Sequence, residues 1–236
     1  MIGVVVPAHN EADHIAAAIA GIARAAQHPG LHGQPVQIVV VADACTDDTR
    51  LRAEAAGAAT MVTTARNVGM ARAVGADGLL AHGARWLAFT DADTIVADDW
   101  LVAQLAVQSA VQADAVCGCV WVQDWSAHGA QAPDMAAAFD ATYCQVDGHH
   151  HIHGANLGVA AQAYRRAGGF SALETSEDVA LVQALQRSGA NVVFSAAPRV
   201  YTSARLDHRA PLGFGDALRQ LSERLPSLGV AGLRAA

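Results

Sequence analysis

Trp86-Leu87-Ala88-Phe89-Thr90-Asp91-Ala92-Asp93 runs from a short apolar strand directly into two carboxylates one residue apart. In open α/β sheets ligands bind just outside the carboxyl ends of the strands, so these aspartates stand where function is expected. The same pattern repeats upstream. Ile2 to Val6 is an apolar run ending at Pro7, Val36 to Val41 reads as a second strand leading to Asp43, and Ala59 to Thr63 as a third. Between them Ile15, Ala18, Ile19 and Ile22 recur at helical spacing, Thr46 to Ala56 reads as a helix closed by Gly57, and Val68 to Ala81 as another. Asn10 followed by Asp13 resembles a capping box and places the first helix start near Glu11. Strands alternating with helices predict βαβ units, hence an α/β fold with a mostly parallel twisted sheet and helices on both faces.

Downstream, a helix is expected from Ala97 to Gln112 and a strand from Ala115 to Val122, followed by irregular texture through His153. Regular pattern returns with a helix at Glu177 to Arg187, strands at Asn191 to Phe194 and Arg199 to Thr202, and an amphipathic C-terminal helix ending before Pro226. No internal repeat or low-complexity linker interrupts the chain. The expectation is one domain over 1–226, with a nucleotide-binding half at about 1–95, an acceptor-side half at about 96–226 and a frayed tail at 227–236.

Apolar residues make up 53% of the 236 and charged residues 16%, which excludes a disordered chain. The formal charge is -7, every basic residue other than histidine is an arginine, and no basic stripe is available, which excludes a general nucleic-acid binder. A single diphosphate could still bind locally, and on so acidic a chain it would want a divalent cation to offset repulsion from nearby carboxylates. Cys45, Cys117, Cys119 and Cys144 have neither zinc-ligand spacing nor the density of a disulfide scaffold, and Cys117 and Cys119 read as small buried residues. Neither a basic segment before an apolar run nor an apolar stretch of ~18 residues is present, so a cytoplasmic, non-spanning protein is expected.

Asp91 and Asp93 lie in a loop, where both can turn toward one magnesium or manganese ion; such hard ions take one or two carboxylates together with waters and substrate phosphates. The plainer reading is an Asp-rich turn capping the helix at Ala97. The run His149-His150-His151-Ile152-His153 invites a zinc reading, but no HExxH or complete four-ligand pattern accompanies it, and a loop facing the acceptor is preferred because the run leads into Gly154-Ala155-Asn156.

Val4-Val5-Val6-Pro7-Ala8-His9-Asn10-Glu11, Val41-Ala42-Asp43-Ala44-Cys45-Thr46-Asp47-Asp48-Thr49, the Asp-Ala-Asp triplet and Ser176-Glu177-Asp178 with Leu181 and Gly189 together resemble the family 2 glycosyltransferases, over about residues 2 to 205. Gly154-Ala155-Asn156-Leu157-Gly158 and Gly168-Gly169-Phe170 also look like that family. The resemblance implies a GT-A fold and an inverting transfer of sugar from a nucleotide-diphosphate donor, and the absence of the membrane helices and QxxRW signature that processive members usually carry points to one transfer per encounter. It implies that Pro7, Ala8, His9 and Glu11 line the nucleoside pocket and that Asp43 hydrogen-bonds the base. A carboxylate at a strand end suits a base N–H and a histidine ring suits a base face; the alternative for Asp43 is a cap on the next helix, although Thr46 is better placed for that.

By the same resemblance Arg66, with Asn67 and Gly69, approaches the donor from the side, and Asn67 is also a candidate cap for the helix that follows. The Arg-Asn pair common in the family is replaced by Arg72-Ala73, which leaves the register of Arg72 open. The resemblance further implies that Asp91, Ala92 and Asp93 meet the donor and its metal, that Asp178 is the general base and that Glu177 orients the site. The alternative for this acid pair is a favourable helix start with no chemistry. Arg205 and Arg209 suit phosphate oxygens, and His208 is a candidate third metal ligand. The implied cofactor is manganese or magnesium, and the implied acceptor is a small molecule, a glycan or a lipid-linked compound.

The nearest rival is a sugar-1-phosphate nucleotidyltransferase, which calls for a Gly-rich basic loop after the first strand where this chain has Pro7 to Glu11. A dinucleotide-dependent dehydrogenase lacks support because no G-x-G-x-x-G opens the first helix. A catalytically silent nucleotide-sugar binding module would not need Asp91, Asp93 and Asp178 together.

Overall fold

Ile2, Val4 and Val6 alternate with Val5 along the first strand, β1 (Ile2–Ala8), and every residue of it is buried. Such an unbroken apolar strand is covered on both faces, and β1 lies between two parallel neighbours: β2 (Val36–Asp43) on one side and β4 (Trp86–Phe89) on the other. β3 (Ala59–Thr63) adds to β2, again in parallel. The description covers residues 1–206 and 213–225 of a computed structural model.

The remaining strands are β5 (Thr94–Val96), β6 (Ala115–Trp121), β7 (Leu157–Ala160) and β8 (Val192–Thr202). The sheet order is β3-β2-β1-β4-β7-β6-β8-β5. β7 is antiparallel to both β4 and β6, β6 and β8 are parallel, and β5 closes the far edge antiparallel to β8. Strands β1 to β4 are thus parallel to one another, and antiparallel pairing enters with β7 and β5.

Helices α1 (Ile15–Ala26) and α4 (Trp100–Val111) pack on one face, where Ile15, Ile19, Ile22, Trp100 and Leu101 meet Ile2, Val4 and Val6. Helices α3 (Val68–Ala81) and α7 (Glu177–Arg187) cover the other, where Leu79, Leu181 and Leu185 meet Val5, Val39 and Val41. The strict period of two along β1 divides the core into these halves. Helices α2 (Thr49–Ala55) and α6 (Ala161–Ala167) are short connectors. A third apolar cluster joins α5 (Ala132–Thr142) to α8 (Phe214–Arg224) through Met135, Ala138, Phe139 and Leu218.

Several local expectations are corrected. Asn10 does not cap a helix starting near Glu11: it has a positive φ of 52°, its side-chain oxygen accepts from the Thr46 amide at 2.7 Å, and α1 begins at Ile15. Thr46 does not cap α2, which begins at Thr49 with the Asp47 carboxylate on the Thr49 amide. The strands expected at Asn191 to Phe194 and Arg199 to Thr202 are one strand, β8, with an irregularity where its register to β6 shifts from Ser195 to Arg199. Such a bulge accommodates Pro198 within a paired strand. The stretch to His153 is not wholly irregular, because it contains α5.

Among the described residues no helix is long and apolar enough to cross a membrane. All four cysteines are free, with Cys117 and Cys119 buried as expected.

Candidate active site

The carboxyl ends of β1, β2 and β4 open into one cleft of about 860 Å³, a size that accommodates a nucleotide and a small second substrate. Its walls include Pro7, Ala8, His9, Glu11, Asp43, Arg66, Asp91, Ala92, Asp93, Glu177, Asp178 and Arg205. Sequence positions spread over about two hundred residues therefore meet at one place. His208 and Arg209 lie outside the described residues.

Backbone strain concentrates here. Six described residues other than glycine have a positive φ, and four of them, Asn10, Ala44, Arg66 and Ser176, lie in the loops that frame the cleft. A left-handed backbone costs a non-glycine residue free energy and persists where the surroundings impose it, a pattern typical of binding loops.

Asp43 is 4% exposed and accepts from the Arg66 amide at 2.9 Å and the Asn67 amide at 2.7 Å. It caps no part of α2; it ties the end of β2 to the loop before α3. Each carboxylate oxygen keeps a further lone pair, so these bonds leave acceptor capacity for a base. The Asp43 carbonyl accepts from Nδ1 of His9 at 2.6 Å, which fixes the plane of an otherwise exposed ring at the cleft edge. Asn67 does cap α3, its side chain accepting from the Met70 amide at 2.9 Å. Gly69 has a packing reason, since a Cβ there would press on the Ser171 carbonyl and lie 3.1 Å from Cβ of Glu177.

Two arginines organise the carboxylates. Arg72, 3% exposed on α3, donates to Asp91 at 2.6 Å and forms a very short contact with Glu177. Arg205 grips Glu11 with two bonds of 2.8 and 2.9 Å and reaches Asp93 at 3.2 Å. Burial works against the charge on Arg72, but the facing carboxylates of Asp91, Glu177 and Asp178 outweigh it and raise its pKa. Burial likewise pushes up the carboxyl of Glu177, with Arg72 opposing. Asp93 is lifted to about 6, first by burial; Arg205 opposes the shift, while Asp91 and Glu11 add to it.

Arg72 is the functional candidate that sequence reasoning left without a role. The available signal was its position as a lone charge on the small-residue face of α3, among Gly69, Ala71, Gly75 and Ala76. A second omission was an aromatic part of the cleft wall, formed by Phe139 and Tyr143 from the α5 region and Phe214 from α8.

Asp178 sits at the start of α7, its Oδ2 accepting from the Gly154 amide and its Oδ1 from its own neighbour Val179, each at 2.8 Å. Gly154 is squeezed between this carboxylate and Arg72, and a Cβ there would overlap the guanidinium. Asn156 is structural: it is buried, donates to the carbonyls of Cys119 and Pro198, and accepts from the Trp100 indole.

The histidine run divides. His149 is buried against Phe194, whereas His151 and His153 reach the cleft. Tyr143 accepts from the Val120 amide at 3.1 Å, and its hydroxyl lies 2.7 Å from Nε2 of His153, so phenol and imidazole share a hydrogen bond. Burial lowers the His153 pKa to about 4. Because that lies below the ordinary value of 6.5, acid favours the unfolded chain. Stability should be fully present above about pH 6.5 and fall toward pH 4, by up to about 3 kcal/mol from this residue. Urea unfolding across that window should show a shallower fall in His153→Gln than in the parent; identical slopes would remove His153 as the cause.

Among the described residues no three or more His, Cys, Asp or Glu side chains come together to hold a metal by themselves. Asp91 and Asp93 nevertheless suit a hard divalent ion that takes its other ligands from water and phosphate, and burial, with Asp91 and Glu11 nearby, raises the proton affinity of Asp93, so a cation there would offset a charge that the surroundings disfavour.

A model of the family described as glycosyl transferase family 2 matches residues 3–161. By sequence no curated protein matches this chain. Among solved structures, a mycobacterial protein superposes with a TM-score of 0.59 at 20% identity, over 96% of this chain and 72% of that one. Staphylococcus aureus TarS 1-349, solved with UDP-GlcNAc, gives 0.62 at 15% identity, and this chain covers 60% of it, matched over 89% of its own length. Mycobacterium tuberculosis glucosyl-3-phosphoglycerate synthase, solved with Mn2+, UDP and glucosyl-3-phosphoglycerate, gives 0.57 at 19% identity, over 98% of this chain and 80% of that one. At these identities the likeness establishes a shared fold, the GT-A glycosyltransferase fold.

Proposed function

The chain belongs to glycosyl transferase family 2, and from that premise we propose that it moves a sugar from a nucleotide-diphosphate donor to an acceptor hydroxyl with inversion, one transfer per encounter. That it is a nucleotide-sugar glycosyltransferase follows from the family; the residue roles, the metal and the stereochemistry are our reading. The observation that carries this reading is the convergence of Asp43, Asp91, Asp93 and Asp178 on one cleft at the strand ends.

Pro7, Ala8, His9, Glu11 and Asp43 form the nucleoside side, with Arg66 exposed beside them. Arg205 stands close enough to the aspartates to meet a diphosphate, and Glu177 holds Arg72 in place. A divalent cation, when bound by Asp91 and Asp93, would supply charge that stabilises the departing diphosphate. Asp178 takes the proton of the acceptor hydroxyl as that oxygen bonds to the anomeric carbon; the bond from that carbon to the phosphate oxygen breaks, and the diphosphate leaves with the electron pair. Manganese or magnesium and a cytoplasmic setting belong to the same proposal. It is supported by the acidic charge and free cysteines of this chain, and by the Mn2+ and UDP of the M. tuberculosis synthase complex.

Calorimetric titration of UDP with and without manganese tests the metal. The affinity should rise at least tenfold with manganese, and Asp93→Ala should abolish that gain while the thermal transition stays within a few degrees of the parent. Equal affinity in excess chelator would sink the metal role, and unfolding of the variant would favour a structural Asp-rich turn.

A further inference from the structure

The cleft has two chemically different ends. Besides the carboxylates, its walls include an apolar set, Val120, Phe139, Tyr143, Phe214, Leu218 and Leu221. Phe139 stacks on Tyr143 with centroids 4.7 Å apart, and Tyr143 on His151 at 4.0 Å, so three rings lie nearly parallel along one side. Phe214 of α8 meets Phe139 and His153 edge-on. Val120 and Leu218 are buried, while Leu221 and Phe214 remain partly accessible to the cleft.

Charge sharpens the picture. Arg72 is committed to Asp91 and Glu177, and Arg205 to Glu11 and Asp93. The other ionisable groups at the start of α7 are acids, Glu174 and Asp178. The two histidines of this wall are held neutral: burial lowers the pKa of both, with His149 and His150 adding to the effect on His151, and the attraction of Asp178 does not overcome it at His153. Exposed Arg66 and Arg224 also line the cleft, Arg66 beside the nucleoside loops and Arg224 at the last turn of α8. Next to the proposed base an anionic acceptor would meet the acids Glu174 and Asp178, and an acceptor sugar would set several hydroxyls against the side chains of Phe139, Tyr143, Phe214 and Leu221, with Thr142, Gln220 and Arg224 as polar groups from the same elements.

We propose that the acceptor is an uncharged hydroxyl compound with an apolar ring body, bound against the Phe139, Tyr143, Phe214 and Leu221 wall with its hydroxyl toward Asp178. Flat apolar rings gain both area burial and favourable ring geometry there, beside the hydrogen-bonded Tyr143 hydroxyl and His153 ring as polar groups. The inference rests on the transferase reading for the word acceptor, but the pocket chemistry stands on its own residues.

The probe is 2-naphthol, titrated by fluorescence into the full chain with UDP and manganese present, beside 2-naphthyl phosphate and methyl β-glucoside. Saturable binding of 2-naphthol at least tenfold tighter than either comparator is expected, and Leu221→Asp should weaken it tenfold or more while UDP affinity is kept. Should Leu221→Asp loosen α8, Phe214→Ala shortens the same wall without adding charge and should weaken naphthol several-fold. Tighter or equal binding of the phosphate or the glucoside, no saturable naphthol binding, or binding indifferent to both variants would overturn the proposal. UDP is also titrated alone, so its failure to bind would strike the transferase reading and leave the naphthol result to judge the pocket.

Discussion

Replacing Asp178 by asparagine is expected to lower the transfer rate by about 100-fold or more while donor affinity changes little. Asparagine keeps the shape of the side chain but cannot take a proton at neutral pH. The structure adds a cost that sequence alone did not reveal: both carboxylate oxygens accept backbone amides, from Gly154 and Val179, and asparagine has only one acceptor oxygen. Losing one such bond costs about 1 kcal/mol, which a thermal melt reads as a shift of a few degrees. That loss cannot by itself produce a hundredfold change in turnover at a temperature where the variant is folded. Rate, UDP affinity and melting temperature measured on the same variant therefore separate the two roles. Near-normal transfer with a lowered melting point would leave Asp178 as the residue that positions Gly154, and would move the search for the base to Glu177 and His153.

Much of this architecture was legible because its periodicities are long and clean. β3 and helices α3 and α7 fall on the residues expected, since each combines an uninterrupted pattern with clear stop signals such as Gly57, Asn67 and Gly189. The loops around Asn10 and Thr46 depart from the expectation for a physical reason: the Asn10 side-chain oxygen accepts from the amide and the hydroxyl of Thr46, thirty-six residues away, instead of capping the nearest helix. Cap propensity describes only local competition and has no knowledge of such a partner. β5 escaped notice because three residues carry no period, and α6 because a seven-residue helix following directly on β7 blends into it. α5 was legible in principle, through Met135, Ala138 and Phe139 at helical spacing after Pro133, but its mean texture is that of a loop rich in alanine.

The candidate site was legible where an acid follows a strand or opens a helix, and obscure where an arginine pairs with an acid on a distant element. Asp91, Asp93 and Asp178 announce themselves by residue type and position. Arg205 pairing with Glu11, 194 residues away, and Arg72 pairing with Glu177, 105 residues away, do not, because no spacing rule links them. The result is that each aspartate of the Asp-Ala-Asp triplet already has an arginine partner, so a bound cation and diphosphate would enter an existing ionic network.

That network makes Arg72→Met the second large effect expected. Methionine fills most of the volume and keeps contact with the Phe170 ring, over which the guanidinium lies at 5.7 Å. What it removes is the cation between Glu177, 5% exposed, and Asp91, which is about one-third exposed at its side chain. Removing one partner of a buried ion pair leaves the other charge uncompensated and typically costs about 3–5 kcal/mol, which for a chain of this size is a fall of roughly 10 °C in melting temperature. Asp91 can turn to water, so most of the cost should come from Glu177. Glu177 already has its pKa raised by burial, with only Arg72 pulling it down among its neighbours' charges. Without Arg72 the folded protein should bind a proton there more tightly than the unfolded chain does. A group whose folded pKa is raised loses its stabilising contribution as pH rises, so the deficit of Arg72→Met should be smaller near pH 5 than near pH 8. Arg72→Met with Glu177→Gln replaces the stranded carboxylate by a neutral amide and should recover most of the stability and flatten the pH dependence. Melting curves of the parent, both single variants and the double variant at the two pH values complete the cycle. A loss below about 1 kcal/mol in Arg72→Met, or a double variant no more stable than that single variant, would show that Arg72 is not what holds Glu177 and Asp91 in place.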